Sequence, residues 1–171
     1  MTEFFVLRLV HVVGGMFWVG AGLFNFVWLG PALAQAGPAA GAIMLSLRRR
    51  RLFVVLPTVA LLTILSGLRL MQLTSNDFSA AYFRTGPGAT FSAAGAAAIL
   101  AFLLGLTLAM PAQKRMAALG ASLASAADEA ARAAPRAEMA RLQRRMGVLG
   151  PVVTALLVIA AVGMAVARYV G

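Results

Sequence analysis

The chain has no cysteine, which excludes disulfides, thiolate-bound zinc, iron–sulfur clusters and thiol catalysis. It has one histidine, His11, and five acidic residues, too few for a His-rich metal site or for paired-carboxylate catalysis. Charge is scarce. Only 12% of residues are Asp, Glu, Lys or Arg, against roughly 25% in a soluble domain. What fills the chain instead is apolar: 61% hydrophobic residues, with a mean hydropathy of +0.89. A length of 171 residues is that of one domain. The composition excludes a soluble, a disordered or a collagen-like protein, and a polytopic membrane protein remains.

A membrane span takes about 20 mostly apolar residues. Four stretches qualify, at 4–29, 52–73, 91–110 and 148–169. The first is too long for the core of a signal peptide and has no basic lead-in, so it reads as a permanent helix. Eleven of the fifteen basic residues lie between spans one and two (Arg48, Arg49, Arg50, Arg51) or between spans three and four (Lys114, Arg115, Arg132, Arg136, Arg141, Arg144, Arg145). The positive-inside rule then puts both termini in the periplasm and these two connections in the cytoplasm, for a bacterial inner-membrane protein. The same rule, with anionic headgroups, accounts for the net charge of +10 without nucleic acid. The expected fold is all-α, a four-transmembrane-helix bundle in a single domain over 1–171. Its amphipathic cytoplasmic segment is 111–147, predicted helical over 122–146 and broken or kinked at Pro135. It reads as a helix lying on the cytoplasmic surface or extending span four inward, and serves as a docking helix if a partner binds.

Span one carries the densest pattern. His11, Gly15, Trp18, Gly22, Asn25 and Leu29 recur at steps of four and three, within about 40° of one line on a helix. Gly14 and Ala21 sit beside them. Small residues on one face admit a close neighbour, and in lipid such packing must supply the attraction between helices. The stripe is therefore the expected buried face, with Asn25 as structural glue.

An imidazole inside a membrane is a functional candidate, because leaving it unsatisfied in hydrocarbon is costly. Two readings stand side by side: a ligand to a cofactor, or a neutral histidine bonded to a Ser, a Thr or a backbone carbonyl of a neighbouring helix. Arg8 is one turn outward of His11, and Arg69 lies inside the apolar run 61–73. Only Glu3 and Asp77 are acids on that side, so an external anion is the simplest expected partner for most of the outer arginines, Arg8, Arg69, Arg84 and Arg168. One imidazole, a slot lined by Gly15 and Trp18, and arginines for propionates suit haem b. Copper(I) would instead take His11 with Met71, Met164 or Met16, since thioethers are soft donors. A cofactor-free structural or assembly subunit is the third reading. The expected partners are the lipid bilayer and a homodimer or larger membrane complex, with no nucleic acid; bis-His ligation of haem would require a second copy or another subunit.

Leu9-Val10-His11, then Trp18-Val19-Gly20, Gly22, Phe24 and Pro31, resembles the opening of the HemJ/CopD-like superfamily of bacterial four-helix membrane proteins. Pro57 and Ser66-Gly67 in the second span are similar to that superfamily too. The resemblance implies haem b binding through His11 and protoporphyrinogen oxidation in HemJ-type members, or a link to copper uptake in CopD-type members. HemJ-type proteins also use a lysine near the start of the third span. The single lysine here, Lys114, is at that span's other end.

Overall fold

In hydrocarbon a backbone must satisfy its own polar groups, so long apolar stretches become helices. The structure is a computed structural model that describes residues 2–37 and 39–170. Four helices are long and apolar enough to cross a membrane: span one, Thr2–Gln35; span two, Leu52–Thr74; span three, Gly86–Ser125; and span four, Glu129–Tyr169. Every element among the described residues is helical, the shorter pieces being Ala39–Arg49 and Ala80–Phe83 between spans. This is an all-α protein with the architecture of a multi-pass membrane protein.

Span one packs along span two and span three along span four; contacts between spans one and four and between two and three join the pairs. At their meeting point Trp18, Ala60, Ala101 and Leu157, one from each span, form the buried core. The Trp18 ring meets Phe102 edge-on at 6.2 Å. Outside this core the usual polarity of a soluble protein is inverted. Buried positions are mostly small, among them Ala94, Ala160 and Ala167, whereas large apolar side chains such as Phe5, Met16 and Trp28 face outward. Lipid solvates those large side chains as well as a protein interior would, so close approach of backbones decides which face turns inward.

The closest approaches confirm the small face of span one in part. A Cβ on Gly14 would lie 2.5 Å from Thr63 Oγ1, and one on Gly22 would lie 2.7 Å from Leu157 Cδ1. Gly15 has only an ordinary contact, 3.7 Å to Thr63 Cγ2. The tight seam against span two therefore runs through Gly14, one residue from the expected position. Asn25 is exposed, not buried as the stripe predicts.

Two π turns interrupt the regular helices, Asn25–Leu29 in span one and Gly105–Ala109 in span three. Each is followed by a proline at the second position, Pro31 and Pro111. Proline has no N–H to donate and its ring crowds the carbonyl four residues back, and a wider turn relieves both problems. Accordingly the N–H of Gly30 reaches Asn25 O and that of Met110 reaches Gly105 O, five residues back. Stepping by three and four fails only beyond Asn25, where the π turn begins; the exposure of Asn25 itself, after regular helix to Phe24, has no explanation in the helix geometry.

The 111–147 connection is not a loop. Span three continues to Ser125, and span four begins at Glu129 after Asp128, whose Oδ1 accepts from Ala131 N–H at 2.8 Å. Residues 122–125 therefore belong to span three, not to the helix expected from 122. Pro135 and Pro151 lie inside the span-four helix and do not end it. The result is a helical hairpin that extends spans three and four. Arg115 Nε and Nη2 both reach the Glu138 carboxylate at 2.7 Å across it, a two-pronged geometry that also fixes the register of the two helices. Up-and-down topology puts Arg48, Arg49, Arg50, Arg51 and this hairpin at one end of the molecule, the basic end. Glu3 and Arg69 meet at the opposite end.

Candidate functional site

His11 is half-buried between spans one and two. Its Nδ1 lies 2.8 Å from the carbonyl oxygen of Thr63. That carbonyl also accepts from Ser66 Oγ at 3.0 Å, while Thr63 Oγ1 turns back to Val59 O at 2.8 Å. A helical carbonyl is normally screened by the side chain four residues on, and here that residue is Gly67. A Cβ at Gly67 would lie 2.6 Å from His11 Cε1 and 2.8 Å from Nδ1. The missing side chain is what lets the imidazole lie against span two and reach an acceptor that already serves the helix.

The chemistry of the ring follows from that contact. A carbonyl oxygen only accepts, so Nδ1 carries the proton and donates it. In the neutral ring Nε2 is then the lone-pair nitrogen, and among the described residues it has no hydrogen-bond partner. The expectation of a histidine satisfied by a backbone carbonyl on a neighbouring helix holds for one nitrogen and leaves the other as a donor atom. This is how metal-binding histidines are commonly oriented.

The other expected site residues do not gather at His11. Trp18, two turns away and about 10 Å along the helix, belongs to the four-span core. Gly15 faces Thr63, which a Cβ added there would meet at 3.7 Å, rather than framing an open slot. Arg8 is exposed. Arg69, for which an external anion was the expected partner, has a protein one: its Nε donates to Glu3 Oε1 at 2.8 Å and its Nη1 to Gln72 Oε1 at 2.9 Å. Gln72 Nε2 in turn donates to Asp77 Oδ1 at 3.0 Å. The two acids on this side are thus both drawn into one chain around Arg69. Met16 points outward; Met71 and Met164 are half-buried on spans two and four, and neither is hydrogen-bonded to the ring.

Haem needs one good imidazole, and His11 fits that demand through Nε2. A second axial ligand and a propionate partner at Arg69 are not formed by these residues. Among the described residues no group of three His, Cys, Asp or Glu comes together for a metal ion. The Thr63 carbonyl was missed at the sequence level, because a backbone acceptor has no side-chain signature; the one visible sign was Gly67, four residues on, which leaves it uncovered. No protein-family model, curated protein or solved structure matches this chain.

Proposed function

We propose that this multi-pass protein, read as a HemJ/CopD-like protein of the bacterial inner membrane with periplasmic termini, binds haem b through His11 Nε2. Such a cofactor would serve redox or tetrapyrrole chemistry. The observation that carries the reading is the 2.8 Å contact from Nδ1 to the Thr63 carbonyl. It holds the ring and fixes its tautomer, leaving Nε2 as the lone-pair nitrogen, as second-shell carbonyls do for bound histidines. Arg8, exposed one turn outward, is the arginine left to meet a propionate, since Arg69 is engaged by Glu3.

Protein purified from haem-replete membranes should show a Soret band that His11→Ala abolishes, because the chain has no other imidazole. Colourless wild-type protein from such membranes would overturn the proposal. One observation favours a second reading. The His11–Thr63 bond already joins two spans, as a cofactor-free structural or assembly subunit would need. On that reading His11→Gln retains the fold, and the wild type carries neither haem nor copper.

A further inference from the structure

A cleft opens between spans three and four at the basic end, lined by Leu104, Arg144, Arg145, Val148, Leu149 and Val152. We infer that it holds one anionic phospholipid, its phosphate on Arg144 and Arg145 and an acyl chain along the apolar wall. On span four, Val148 and Leu149 stand one turn after the two arginines and Val152 two turns after, so charge and apolar wall share one face. From Arg144 to Val152 is about 12 Å of helix, which carries the cleft from headgroup level into hydrocarbon.

Three features keep the cleft open and its charge free. Leu104 directly precedes the π turn of span three, and Cβ atoms added at Gly105 or at Gly147 would meet nothing within 4 Å. Val148 on its wall is 70% exposed. The acids of the neighbouring hairpin are already used: Glu138 holds Arg115, Glu129 holds Arg136, and Asp128 caps span four. Arg144 and Arg145 are exposed and form no ion pair among the described residues. A phosphate supplies the missing anion. The apolar wall below it favours a lipid over a soluble anion or an acidic peptide, neither of which reaches hydrocarbon depth.

The test uses the full chain in nanodiscs or mild detergent, with phosphatidylglycerol and phosphatidylcholine as probes and native mass spectrometry as the readout. The wild type should retain one phosphatidylglycerol in preference to phosphatidylcholine. Arg144→Gln with Arg145→Gln should weaken that retention about thirtyfold, the effect of two arginines at an anionic leaflet. The control, Arg48→Gln with Arg49→Gln, removes the same charge at the same end and should retain the lipid. Val148→Trp fills the wall, leaves both arginines and should also release it. Equal loss in the control would reduce the effect to the general field of the basic end and refute a site. Equal retention of phosphatidylcholine, or competition by glycerol phosphate as effective as by the lipid, would refute it as well.

Discussion

Gly67→Ala is the most direct probe of the His11 geometry. The new methyl would stand 2.6 Å from His11 Cε1, well inside van der Waals contact. If the ring holds its place, overpacking costs about 1–3 kcal/mol. If it swings away, the bond to Thr63 O is lost, at about 0.5–1.5 kcal/mol. Alanine meanwhile favours the helix over glycine by about 0.5–1 kcal/mol, so the net loss is about 0–2 kcal/mol. The decisive comparison is the same substitution beside His11→Ala. With no ring to strike, only the helix preference remains, and Gly67→Ala should then stabilise by about 0.5–1 kcal/mol. Reversible unfolding in mixed micelles measures all four proteins, and the cycle should give a coupling of about 0.5–3 kcal/mol. Equal effects of Gly67→Ala in both backgrounds would refute the contact. Imidazole 15N NMR gives an independent check, since the wild type should be protonated at Nδ1.

Gly14→Ala should destabilise the contact between spans one and two measurably in the same assay, and Gly15→Ala should not, because their Cβ atoms would lie 2.5 Å and 3.7 Å from Thr63 atoms. Equal tolerance would displace the seam from Gly14. In the hairpin beyond the apolar stretches, hydrogen bonds from Arg115 foremost, then its charge and that of Arg141, hold the Glu138 carboxyl below its ordinary value. The sign follows: the pair's contribution is full above the ordinary carboxylate range and is lost as pH falls through the lowered value. Spin-label distances between residues 118 and 134 should therefore broaden on acidification, and Glu138→Gln should give the broadened state at neutral pH; pH-independent distances in the wild type would show that the pair does not hold the hairpin.

Hydropathy and charge add up locally, so the residues alone determined the four spans, the gathering of eleven basic side chains at one end, and the small face of span one as far as Gly22. They also marked His11 as a polar group needing a partner. Which partner was a tertiary matter. A backbone carbonyl carries no sequence signature, and Thr63 O becomes reachable only because Gly67 leaves it uncovered and the spans cross there. Arg69 and Glu3 are 66 residues apart, and antiparallel packing of spans one and two brings them together. Helical arithmetic also assumes a constant turn, which the π turn before Pro31 breaks from Asn25 onward. The hairpin at the ends of spans three and four was legible in its span-four helix, expected over 122–146, but not in the continuation of span three to Ser125. Its alanine-rich helices are too polar to register as membrane spans, and the bond between Arg115 and Glu138 joins them only once the chain has turned back on itself.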